Sequence, residues 1–129
     1  MNRRSTLLAA GLFGATGVGL GALGAHALEA FLTERGMAHA WDTAARYHLI
    51  HAVALLALGI WLQHAPGAAA RRAGWAARCW TVGIVLFSGS LYGLAAGGPR
   101  WLGPVTPLGG VALIAGWVCV VAAALMKDE

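Results

Sequence analysis

Long apolar stretches separated by short polar connections organise this chain, and the first of them sets the scale. Residues 5–28 contain no Asp, Glu, Lys or Arg, and at 1.5 Å per residue a helix of that length crosses the roughly 30 Å hydrocarbon core of a bilayer. Three further apolar runs follow, so the pattern predicts spans at about 5–28, 43–63, 79–97 and 107–126. The expected fold is all-α: an integral membrane four-helix bundle of two helical hairpins, forming one transmembrane domain over residues 1–129. A short interfacial helix is expected after the first span. Leu28, Phe31 and Leu32 share one helical face there, Glu29, Glu34 and Arg35 oppose it, and Gly36 supplies a stop.

The boundaries carry their own signals. Asp42 stands where an N-cap belongs, and it also lies four residues before Arg46 in the favourable acid-then-base order. Trp41 and Tyr47 bracket this turn as interfacial aromatics do. Pro66-Gly67 breaks the basic connection between the hairpins, Gly97-Gly98-Pro99 ends the third span, and Thr106-Pro107 reads as N-cap plus first-turn proline of the fourth. Within the spans, small residues recur at three- and four-residue steps: Gly14, Gly17, Gly21 and Gly24 in the first, Gly89 and Gly93 in the third, and Gly109 and Gly116 with Ala112 between them in the fourth. Such stripes let membrane helices approach closely, so these eight glycines are the expected packing seams.

Composition agrees with lipid as the main solvent. Hydrophobic residues make up 59% of the 129 residues and charged ones 11%, against roughly a quarter charged in soluble domains. The net charge of +4 comes from Lys and Arg placed singly or in pairs at the ends of apolar runs, which points away from nucleic acid as a partner. Cys79 and Cys119 lie inside apolar segments without metal-ligand spacing and read as small buried thiols. Arg3-Arg4, an apolar run and Ala25-His26-Ala27 imitate a signal peptide. The run exceeds the usual h-region of about 7–15 residues and more spans follow, so an uncleaved first helix is expected.

With four spans, Arg3, Arg4, Arg71, Arg72, Arg78 and Lys127 fall on one side and Arg35, Arg46 and Arg100 on the other, which predicts both termini in the cytoplasm. That topology sends His26, Tyr47, His48, His51, Ser88, Ser90, Tyr92 and Thr106 to the extracytoplasmic half, as an intramembrane polar cluster. The leading expectation is that these residues hydrogen-bond across helices and fix register. Ligation of a metal or haem by the His48/His51 pair is a weaker reading, because no Asp or Glu lies on the core helices; no metal or cofactor is expected. A small transporter-like or proton-linked role is the runner-up function. No Ser-x-x-Lys, nucleophile elbow or carboxylate pair appears, so no enzyme is expected.

Gly21-Ala-Leu-Gly-Ala-His26, the stretch from Trp41 to His51 with Thr43-Ala44 and Tyr47, Leu86-Phe-Ser-Gly-Ser-Leu-Tyr92, and Thr106-Pro-Leu-Gly-Gly110 followed by Gly116-Trp117 resemble the small inner-membrane protein family typified by bacterial YgdD and YwdK, which has an animal transmembrane relative. The resemblance spans nearly the whole chain. It implies a four-span inner-membrane protein with an uncleaved first helix, from a family without an established biochemical function, so no catalytic residue carries over. The bilayer is then the expected partner, with room left for a homo-oligomer or a second membrane protein.

Overall fold

In the computed structural model, residues 1–126 are described; Lys127, one of the charges used to orient the chain, lies outside them. The helices are α1 (Arg3–Ala25), α2 (Glu29–Glu34), α3 (Ala38–Trp61), α4 (Gly67–Gly83), α5 (Gly89–Ala95) and α6 (Val105–Ala124), with a π-helical turn at Ile84–Ser88 and a 3-10 turn at Arg100–Leu102. No strand occurs among the described residues. Three helical stretches are long and apolar enough to cross a membrane: Arg3–Ala25, Ala38–Trp61 and Arg100–Ala124.

The start of α1 is a capping box, in which Asn2 accepts from the Ser5 amide while the Ser5 hydroxyl receives the Asn2 amide. Gly36 then reverses the chain between α2 and α3 at φ +66°, a left-handed conformation that glycine adopts without strain. The Met37 amide closes that turn on the Leu32 carbonyl. As a result α3 begins at Ala38, five residues before the expected Thr43, and Asp42 already sits inside the helix. Its carboxylate accepts from Arg46 at 2.9 Å instead of capping. Of the two roles competing for Asp42, the ion pair is the one observed.

The third expected span differs most from its forecast. Helix α4 starts at Gly67, twelve residues before Cys79, with Pro66 at its N-cap. Alanine-rich sequence from 68 to 77 favours helix strongly enough to carry the three arginines with it. With the π-turn and α5 it makes one run from Gly67 to Ala95, about 43 Å long at 1.5 Å per residue. That is longer than the roughly 30 Å hydrocarbon core, but the run is not among the three stretches long and apolar enough to cross a membrane. The fourth helix begins at Val105 behind Pro104, which leaves the Thr106 hydroxyl free of the expected capping role.

Helices α1 and α3 pack as one pair and α4 and α6 as another, and the π-turn and α5 lie against α3 to join them. The main core brings Ala10 of α1, Leu55 and Leu58 of α3, Ala73, Ala76, Ala77 and Trp80 of α4, Ile84 of the π-turn and Leu113 of α6 together. Alanines at the contact bring the helix axes close, which strengthens van der Waals packing where no hydrophobic effect separates lipid from protein. Leu12, Val18, Val53, Val85, Val111 and Leu125 point outward, as side chains solvated by lipid do.

The glycine stripes divide by what stands opposite them. A Cβ at Gly17 would lie 2.8 Å from Leu49 Cδ2, one at Gly93 would lie 2.7 Å from Leu102 Cδ1, and those at Gly24, Gly109 and Gly116 would collide with Trp41, the Phe87 backbone and Trp80. Gly14 and Gly89 face open space, and Gly21 comes no closer than 4.0 Å to the Ala45 Cβ. Gly59 against Leu7, Gly74 against the Met1 backbone and Gly83 against Leu113 are further close approaches outside the expected stripes.

Candidate functional site

Two buried histidines one helical turn apart on α3 organise the polar residues, and their partners assign their tautomers. The Trp117 indole N–H of α6 can only donate, and it reaches His51 Nε2 at 3.1 Å. His51 Nε2 is therefore an acceptor. The proton lies on Nδ1, which donates to the Tyr47 carbonyl at 2.7 Å. Both ring nitrogens of His51 are thus satisfied in the neutral form.

His48 takes the opposite tautomer. The single Thr16 hydroxyl proton goes to the Leu12 carbonyl at 2.8 Å, so Thr16 Oγ1 accepts from His48 Nε2 at 3.2 Å. His48 Nδ1 then accepts from the Tyr92 hydroxyl at 3.0 Å. One directed chain runs from Tyr92 of α5 through His48 of α3 to Thr16 and Leu12 of α1. The Phe13 ring meets His48 edge-on at 5.7 Å, and the Trp41 and Tyr92 rings meet at 4.7 Å.

The remaining polar groups bind in separate pairs. Buried Ser88, in the π-turn, donates to the Ala44 carbonyl of α3 at 2.7 Å. Ser90 and Thr106 share a hydrogen bond of 2.6 Å, Ser90 also reaching the Phe87 carbonyl at 3.0 Å and Thr106 the Leu102 carbonyl at 3.5 Å. Trp41 donates to the Leu20 carbonyl at 2.8 Å and Trp80 to that of Leu113 at 3.2 Å. No buried side-chain nitrogen or oxygen among the described residues lacks a partner.

Seven of the eight expected cluster residues enter these contacts, two of them in unexpected ways. Tyr47 contributes its carbonyl, while its exposed ring tilts against Phe87 at 5.0 Å. Thr106 contributes a hydroxyl at the second position of α6. His26 is exposed at the C-cap of α1, and its side chain enters none of these hydrogen bonds. Thr16, Trp41, Trp80 and Trp117 were not anticipated. Trp117 had a readable signal, because an indole in the middle of the expected 107–126 span must find an acceptor for its N–H, whereas Trp80 stood at the very start of the expected 79–97 span.

No group of three or more His, Cys, Asp or Glu among the described residues could hold a metal ion. His51 Nε2, the nitrogen that would ligate haem iron or zinc, is occupied by Trp117. An apolar groove of about 480 Å³ lies beside this histidine, lined by Ala54, Leu58, Trp61, Trp80, Trp117 and Val120. Its walls offer shape to a hydrocarbon chain and little hydrogen bonding. The arrangement provides directed hydrogen bonds between helices.

A family described as a protein of unknown function (DUF423) matches residues 20–110. The UPF0382 membrane protein YwdK of Bacillus subtilis is 42% identical over 109 residues, covering 84% of this chain and 85% of the relative. A UPF0382 membrane protein of Staphylococcus epidermidis is 43% identical over 108 residues, covering 84% of each chain. The UPF0382 inner membrane protein YgdD of Escherichia coli is 36% identical over 130 residues, covering 97% of this chain and 92% of the relative. No solved structure matches.

Proposed function

The chain belongs to the UPF0382 (DUF423) family of membrane proteins, and from that premise we propose that it is a non-enzymatic four-span bundle of the inner membrane with a structural or accessory role. In this reading residues 1–129 form one transmembrane domain, both termini are cytoplasmic, and the run from Gly67 to Ala95 is the third span. The side bearing Arg3, Arg4, Arg71, Arg72 and Arg78 faces the cytoplasm, in keeping with the positive-inside rule. The extracytoplasmic half then holds Ser88, Ser90, Tyr92 and Thr106, which with His48 and His51 near the middle of α3 form a helix-locking network.

One observation carries the role assigned to that network: each nitrogen of His48 and His51 already has a protein partner of matching donor or acceptor character. Such saturation suits a lock between helices.

The topology is tested by reporter fusions after residues 36, 66 and 100 and at the C-terminus. Cytoplasmic signals at 66 and the C-terminus, with external signals at 36 and 100, are expected. An external C-terminus overturns the four-span reading. The role is tested by His51→Ala in proteoliposomes, where lowered stability with unchanged proton and ion flux is expected. A flux in the wild type that vanishes in the variant would make this a transporter.

A further inference from the structure

At the other end of the helices from the histidines, three arginines surround a cavity of about 730 Å³. Met1, Arg3, Arg71, Gly74, Trp75 and Arg78 line it. It lies where the start of α1 crosses α4, and the terminal amine of Met1 donates to the Gly74 carbonyl at 3.3 Å there. Arg78 stacks its guanidinium 4.7 Å above the exposed Trp75 ring.

The charge around this cavity is one-sided. The start of α1 lines the cavity with no acidic residue in its first turn, so the positive end of that helix dipole adds to the cations. The ion pair found among the described residues, Asp42–Arg46, is on α3 and far from this cavity's lining. Burial, then the nearby Arg78 charge, pushes the Met1 amine below its ordinary pKa. Positive charges therefore crowd a space large enough for a ligand, with no carboxylate lining it.

We propose that this cavity binds the phosphate group of an anionic phospholipid. Guanidinium forks match phosphate oxygens in bidentate geometry, and basic pockets between helix ends at the membrane surface take such headgroups. The exposed Trp75 is an interfacial aromatic that sets the cavity at headgroup depth, leaving the acyl chains to the bilayer. This favours lipid over soluble phosphate. The proposal depends on the four-span reading only for placing the cavity at the cytoplasmic surface, and its test in detergent involves no topology, so the two can fail separately.

The test titrates the intact protein in maltoside micelles with phosphatidylglycerol, phosphatidylcholine or inorganic phosphate, reading melting temperature and lipid retained per chain by native mass spectrometry. Phosphatidylglycerol is expected to act at concentrations about ten-fold below phosphatidylcholine. Arg71→Gln with Arg78→Gln should weaken it by about 30-fold, and Arg71→Gln alone by about five-fold, keeping the test alive if the double variant fails to fold. Arg4→Gln with Arg72→Gln removes equal charge from the same end without touching the cavity lining, and should cost about two-fold or less. Equal losses in both double variants would reduce the effect to diffuse attraction and overturn the site. Inorganic phosphate acting as well as the lipid, or phosphatidylcholine acting as well as phosphatidylglycerol, would overturn the anionic-lipid assignment.

Discussion

Replacing Trp117 by Phe isolates the bond that assigns the His51 tautomer. Trp117 is 46% exposed, and phenylalanine keeps most of the apolar surface that packs on Trp80 and His51. His51 is 3% exposed, and no water in the hydrocarbon region can replace the missing donor at Nε2. A stranded buried acceptor costs about 1–3 kcal/mol, while hydrogen bonds between membrane helices average about 0.6 and reach about 1.7 kcal/mol. These ranges overlap at about 1–1.7 kcal/mol, the expected destabilisation. A double-mutant cycle with His51→Phe separates the bond from ring packing, because Trp117→Phe strands nothing once the acceptor is gone; a coupling of about 1 kcal/mol is expected. Reversible unfolding in mixed dodecyl sulfate and maltoside micelles, followed by far-UV circular dichroism, gives each corner. Trp61→Phe, an exposed indole without an N–H partner among the described contacts, is the control. A coupling below about 0.3 kcal/mol would refute the argument that this bond holds α3 to α6.

Nitrogen NMR of the two buried imidazoles should find His48 protonated at Nε2 and His51 at Nδ1; the same tautomer in both would break the directed chain from Tyr92 to Leu12. Gly109→Ala should destabilise by about 1–3 kcal/mol, because the new methyl meets Phe87 backbone that cannot rotate away. Gly14→Ala, facing open space, should be neutral or stabilise by up to about 1 kcal/mol through helix propensity. Equal unfolding midpoints for these two variants would remove the distinction between seam and surface glycines.

The helices were legible because their apolar runs are long, and the polar residues of the cluster because histidines and hydroxyls inside such runs are conspicuous. What escaped was context that one helix does not contain. The start of α4 was hidden by Arg71, Arg72 and Arg78, which read as a connection although alanines surround them. Asp42 offered an N-cap and an ion pair at once, and the Gly36 turn chose between them by starting α3 early. Thr16 bonds the carbonyl of Leu12 in its own helix, and its contact with His48 depends on the approach of α3, which the sequence of α1 does not contain. Gly14 and Gly17 lie on one stripe, yet Gly17 and Gly24, seven residues apart, meet α3 closely, while Gly14 faces open space and Gly21 comes no closer than 4.0 Å to it, a division that the stripe does not encode.

The two helix pairs solve their packing in one way. Trp41 of α3 lies against Gly24 of α1 and donates to Leu20, while Trp80 of α4 lies against Gly116 of α6 and donates to Leu113. Seven residues further along each tryptophan helix, His48 and Phe87 meet Gly17 and Gly109, which lie seven residues back from Gly24 and Gly116. Each indole thus uses the missing side chain of a glycine to reach a carbonyl in the same turn or the one before it. A larger residue at the glycine would hold the ring away and strand its N–H, and a smaller one at the tryptophan would leave a void beside the glycine. Close packing and hydrogen bonding therefore depend on the same two residues in each pair. That coupling fixes helix register in a bilayer, where apolar side chains gain little by leaving lipid for one another.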